Sequence, residues 1–124
     1  MNVVLWIIAG LLAAAFLAAG LMKITGKRDQ MVEKMPWVND FSQSQVKGIG
    51  LVEVLGAVGL ILPGVTGIAP VLVPVAAVGL TLTMAGAVVV HLRRGDGFAA
   101  AVPSLVLGVF ALVVAWGRFG PYAF

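Results

Sequence analysis

The chain has 124 residues, 61% hydrophobic and only 10% charged, with a net charge of +3 and a mean hydropathy of +1.11. A soluble domain carries about a quarter of its residues charged, so this composition excludes a water-facing globular surface and makes lipid the solvent. The absence of cysteine excludes thiolate catalysis, iron–sulfur ligation and zinc sites built on Cys, and one His with five scattered acids is a poor supply of metal ligands.

A membrane helix needs about 20 apolar residues, so four spans nearly exhaust the length and leave no room for a soluble catalytic domain. The expected fold class is all-α: a single transmembrane domain over 1–124, an integral membrane four-helix bundle with a short interfacial segment between helices 1 and 2. Residues 1–22 contain no charge and have no basic residue before Lys23. This departs from a secretory signal, which has a basic start and a shorter apolar core, so residues 3–24 read as the first span.

The stretch ITGKRDQMVEKMPWVNDFSQSQVK (24–47) is the only sizeable polar one. Met31, Val32 and Met35 recur at helical spacing, Trp37, Val38 and Phe41 follow Pro36, and Lys27, Arg28 and Lys34 stand nearby. Such a mixture of apolar and basic residues predicts a segment lying in the headgroup region, the depth that Trp marks. Ser42 followed three positions later by Gln45 is a capping-box pattern before an apolar run, which starts the second span at about 43 and carries it to 62.

PGVTGIAP (63–70), with two prolines and two glycines in eight positions, reads as a turn. The third span then covers about 70–92, with Pro74 near its first turn. In HLRRGDG, Gly95 is expected to stop that helix and Asp96 to cap the next one, which runs over about 97–117. Arg118-Phe-Gly-Pro-Tyr-Ala-Phe closes the chain at an interface.

The 23–47 and 92–96 connections lie on one side of the membrane and hold Lys23, Lys27, Arg28, Lys34, Lys47, Arg93 and Arg94, seven of the eight basic residues. The positive-inside rule makes that side cytoplasmic and puts both termini outside. Basic residues distributed in this way, with no basic stripe carrying interleaved aromatics, exclude nucleic acid as a partner. Membrane lipids are the expected surroundings.

Within the spans one carboxylate stands out, Glu53 in GIGLVEVLGAVGLILPG (48–64). Gly50, Gly56 and Ala57 share its helical face, and Gly20 and Ala19 share the face of Lys23, so two small-residue faces can approach closely. A charge inside a span is costly and normally paired, hence the expectation that Glu53 meets Lys23. His91, Arg94 and Asp96 end the third span on the same side, which predicts a polar pocket of Lys23, Glu53, His91, Arg94 and Asp96 with Trp37 and Phe41 as its lid. Taken singly, Lys23 is a snorkelling lysine, His91 an interfacial histidine, and Arg93 and Arg94 are topology signals. The other end of the bundle is expected to carry almost no polar side chain, and the stripe Ser104, Gly108, Ala111, Ala115 to serve packing.

FLAAGLMKITG (16–26), VEVLGAVGLILPG (52–64) and VVVHLRRGD (88–96) resemble the signature regions of the DoxX-like small membrane proteins. The resemblance implies a four-helix protein of the bacterial inner membrane. It also implies association with membrane oxidoreductase or stress-response complexes, since the family takes its name from a relative of a thiosulfate:quinone oxidoreductase subunit. Lys23, Glu53 and His91 correspond to the family's recurring polar positions. The lack of cysteine counts against thiol-based handling of sulfur substrates.

Three functions follow as expectations. The first is a redox-associated membrane subunit, non-catalytic by itself, whose pocket receives a quinone or lipid headgroup and whose partners are oxidoreductase subunits or further copies of the chain. The second is a small proton-coupled transporter using Glu53, and the third a structural or assembly subunit without a site. Quinone is the only cofactor these readings bring, no metal is expected, and the residues themselves name neither substrate nor catalytic group.

Overall fold

The computed structural model describes residues 1–124, except for the side chain of Arg28, whose expected place in the headgroup region thus lies outside the described residues. Four long helices, α1 (Asn2–Thr25), α3 (Gln43–Thr66), α4 (Leu72–Arg94) and α5 (Phe98–Phe119), are each long and apolar enough to cross a membrane. Between the first two of these lie the short helix α2 (Arg28–Lys34) and a 3₁₀ turn, Pro36–Asp40. The fold is an all-helical four-helix bundle in which α1 packs on α3, α3 on α4 and α4 on α5, with α5 closing back on α1.

The outward faces are apolar, with Leu11, Leu55, Leu82 and Leu112 all exposed. In water such a surface would drive aggregation; in a bilayer it matches the solvent. The interior is built from Leu12 and Phe16 of α1, Ala57 and Leu60 of α3, Ala77, Leu80 and Met84 of α4, and Ala111, Val114 and Ala115 of α5. Lipid is as apolar as this core, so burial alone does not drive these helices together; close packing does.

That packing is tightest where α1 crosses α3. A Cβ added to Gly20 would stand 2.6 Å from the carbonyl oxygen of Gly50, and one added to Gly50 would stand 2.7 Å from that of Gly20. Both obstacles are backbone atoms that cannot move aside, so any larger residue forces the helices apart. Gly10, farther along α1, has open space around its missing side chain.

Ser42 and Gln45 form both halves of the capping box: Gln45 N–H donates to Ser42 Oγ (3.1 Å) and Ser42 N–H to Gln45 Oε1 (2.9 Å). Before it, Met31, Val38 and Val46 are buried together with Trp37 and Phe41 against them. This small satellite core pins α2 and the 3₁₀ turn over the start of α3.

Three boundaries differ from the sequence reading. Helix α3 runs through Pro63 to Thr66 rather than turning at Pro63. A proline removes only one backbone bond in a last turn, and Thr66 Oγ1 to the Leu62 carbonyl and Gly67 N–H to the Pro63 carbonyl complete that end. Helix α4 starts at Leu72, two residues later than expected. Asp96 does not cap α5: Gly97 occupies the N-cap position without a side-chain cap, because the Asp96 carboxylate turns back toward α4.

Substituting Gly50→Val is expected to lower the melting temperature in detergent, at a cost of about 1–3 kcal/mol of overpacking. Gly10→Ala should leave it unchanged or raise it slightly, since alanine is the better helix former. A Gly50→Val protein melting like the parent would show that the crossing tolerates a wider spacing.

Candidate functional site

The Gly20–Gly50 crossing fixes what happens one turn along each helix. Lys23 and Glu53 follow the two glycines at i+3, and Lys23 Nζ lies 2.7 Å from Glu53 Oε1. The side chains retain 9% and 3% of their exposure, so this ion pair is removed from solvent almost completely. Glu53 is the eleventh of the 24 residues of α3, next to its midpoint, because the extension past Pro63 moves the middle of the helix toward it. Lys23 stands near the end of α1 and runs its aliphatic stem inward to meet the carboxylate, the reverse of outward snorkelling.

The pair is not fully satisfied. By distance it is an ion pair, yet Oε1 has no partner at hydrogen-bonding angles. The short separation governs the electrostatics, and the poor angle leaves a lone-pair direction of Oε1 unused. Such an atom is costly in a low-dielectric interior.

Trp37, in the 3₁₀ turn, lies across the other side of Lys23, with Nζ 5.9 Å from the indole centroid, near the outer limit for a cation–π contact. Trp37 in turn meets Phe41 edge to face at 5.7 Å. Both rings are half-buried. Phe41 also forms one wall of a cleft of about 390 Å³ lined by Gln45, Gly48, Ile49, Val52 and Thr83. Neither Lys23 nor Glu53 lines that cleft, nor a second, apolar one of about 160 Å³ between α4 and α5.

His91, Arg94 and Asp96 gather at the end of α4. His91 Nδ1 is 3.0 Å from Asp96 Oδ2, and Arg94 Nε donates to the same oxygen at 3.1 Å. Against an ionised carboxylate the His91 nitrogen carries the proton. The His91 contact first, with that of Arg94, holds the Asp96 carboxyl below the usual carboxylate range despite its partial desolvation. Arg94 Nη1 reaches further, to Asp40 at 2.5 Å. Asp40 ends the 3₁₀ turn, so this network ties the turn to α4.

The five expected pocket residues thus fall into two groups: Lys23 with Glu53, and His91 with Arg94 and Asp96. No hydrogen bond or ion pair joins His91 to the buried pair among the described residues; the 3₁₀ turn bridges the groups, with Trp37 at one end and Asp40 at the other. Asp40 has no sequence signal of its own, because its partner lies 54 positions away. The second such residue is Arg118, 5% exposed at the opposite end of the bundle, whose burial the sequence reading did not foresee. The aromatic residues around it, Trp6, Tyr122 and Phe124, were its only local hint.

The profile of the DoxX-like family matches residues 7–115, a range that takes in the Gly20–Gly50 crossing, the buried pair, the 3₁₀ turn and the His91 network. The chain belongs to the DoxX-like family. No curated relative and no solved structure matches it.

Removing one member of a buried ion pair typically costs about 3–5 kcal/mol, whereas replacing both by apolar groups is often neutral. Lys23→Leu and Glu53→Leu are each expected to lower the melting temperature in detergent, and the double variant to recover much of the loss. Single losses that simply add in the double variant would show that the two charges do not support one another.

Proposed function

We propose that this DoxX-like membrane protein is a redox-associated subunit of the bacterial inner membrane that receives the polar head of a lipid-soluble ligand, a quinone or a lipid headgroup, at Lys23 and Glu53. The observation that carries the reading is the Lys23–Trp37–Phe41 contact chain. Phe41 walls a cleft between α3 and α4, and Trp37, edge to face with Phe41, covers Lys23. The two rings are then the partition between the cleft and the pair. A headgroup entering from the bilayer would displace them, meet the ammonium of Lys23 as donor, and find Glu53 as acceptor or proton carrier.

The cleft volume is within the range of small-molecule sites, about 300–1,000 Å³, and its lining is mostly aliphatic with Gln45 and Thr83 as polar points, which suits an isoprenoid-bearing ring. Partner oxidoreductase subunits or further copies would pack on the outward apolar faces. The incompletely bonded Glu53 Oε1 favours a second reading, in which Glu53 exchanges a proton with a transported substrate.

Titration of nanodisc-held protein with a short-chain quinone tests the first reading. The Trp37 emission, taken as the difference between the parent and Trp37→Phe, should be quenched saturably. Lys23→Met should weaken binding about tenfold or more, the loss of one charge-assisted hydrogen bond. Absence of saturable quenching by quinone and by lipid would overturn the reading. Substrate-driven proton movement into liposomes that Glu53→Gln abolishes would then put transport first.

The reading also needs the 3₁₀ turn on the cytoplasmic side, which the seven-to-one distribution of basic residues supports. Alkaline phosphatase fused after Phe124 should be active outside the cytoplasm; an inactive phosphatase with a fluorescent cytoplasmic fusion at the same point would reverse the orientation.

A further inference from the structure

At the end of the bundle where α1 begins and α5 ends, Arg118 makes no ion pair among the described residues. It is 5% exposed. Its Nη1 donates to Asn2 Oδ1 (2.6 Å) and to the Tyr122 carbonyl (2.9 Å), both uncharged acceptors. The five acidic side chains, Asp29, Glu33, Asp40, Glu53 and Asp96, cannot help. Four of them belong to the connections at the other end, and Glu53 is thirteen residues, about 20 Å of helix rise, from the last residue of α3 and already paired with Lys23.

The guanidinium is held in one orientation. Phe124 lies over it with 4.1 Å from Cζ to the ring centroid, and Trp6 lies 5.5 Å away. Those two rings meet edge to face at 5.5 Å, and Trp116 meets Tyr122 edge to face at 6.0 Å. Nε and Nη2 have no protein partner among the described residues, and neither is sealed, since among those residues the only sealed polar side-chain atom without a hydrogen bond is Glu53 Oε1. A planar donor edge, fixed by ring faces and stripped of most of its water, is therefore left without an ion-pair partner among the described residues.

We propose that Arg118 is an anion site that takes a phosphate group through Nε and Nη2. The two-pronged edge matches two phosphate oxygens. Trp, Tyr and Phe cluster at the depth where the bilayer presents its phosphates, so the supply is adjacent. Lysine in the same place would offer a point charge and no planar edge for the rings to hold. This site is independent of the Lys23–Glu53 pair, which lies toward the other end.

Thermal melting in a non-ionic detergent tests it, with phosphatidylglycerol, diacylglycerol of the same chains, or inorganic phosphate added to parent, Arg118→Lys and Arg118→Gln proteins. The parent should gain several degrees with phosphatidylglycerol and nothing with diacylglycerol; Arg118→Lys should keep a reduced gain and Arg118→Gln none. An equal gain with inorganic phosphate would identify the free anion as the source, and a gain with the lipid alone the headgroup. Equal gains with diacylglycerol, or an undiminished gain in Arg118→Gln, would overturn the site. Should Arg118→Gln fail to fold, a phosphatidylglycerol analogue with a photoreactive headgroup decides on the parent protein. Its label should fall on the peptide carrying Trp116 to Phe124, and labelling confined to residues 27–47 and 91–96 would equally overturn the proposal.

Discussion

The contact between the backbones of Gly20 and Gly50 is the constraint from which the rest of the bundle follows. In a bilayer no hydrophobic force holds α1 to α3, so the association depends on how many atoms can be brought into van der Waals contact. Two glycines facing one another allow that approach. The same approach delivers Lys23 and Glu53, each three residues further on, to 2.7 Å. A wider crossing would leave Glu53 in the middle of an apolar span without a cation. Packing and charge neutralisation are thus one geometric event, and a change at either glycine acts on both.

Much of this was legible because the relevant signals are local. Two glycines one turn before two opposite charges, Ser42 and Gln45 at capping-box spacing, and Met31, Val38 and Trp37 among basic residues each report on a few neighbouring positions. The readings that failed each have a competing cause. Asp96 has the makings of an N-cap, but charge-assisted bonds from His91 and Arg94 outcompete a neutral backbone donor. Pro63 reads as a turn, but its cost falls to one lost bond once the helix ends within a turn of it. Asp40 and Arg118 carry no periodicity, and their roles exist only after the chain has folded.

The two ends of the molecule handle their charges by different means. At the end bearing the 3₁₀ turn, acids and bases are present together and neutralise one another: Lys23 with Glu53, Arg94 with Asp40 and Asp96. At the opposite end Arg118 has only neutral acceptors and aromatic faces. Ring faces and carbonyls offset part of the loss of hydration and leave the full charge in place.

The 3₁₀ turn couples the buried pair to the surface network, and its mechanical properties follow from what holds it. Its apolar side is anchored by Val38 in the satellite core with Met31 and Val46. Its polar side is tied to α4 through the half-exposed Asp40 and Arg94. An exposed ion pair of this kind contributes little and weakens with salt, whereas burial of Val38 is insensitive to salt. Trp37 and Asp40 flank Val38 in the same five-residue segment, so one buried anchor sets both the ring beside Lys23 and the tie to α4. Trp37 and Phe41 pack against that same satellite core, so the ring beside Lys23 is placed by burial more than by the ion pair.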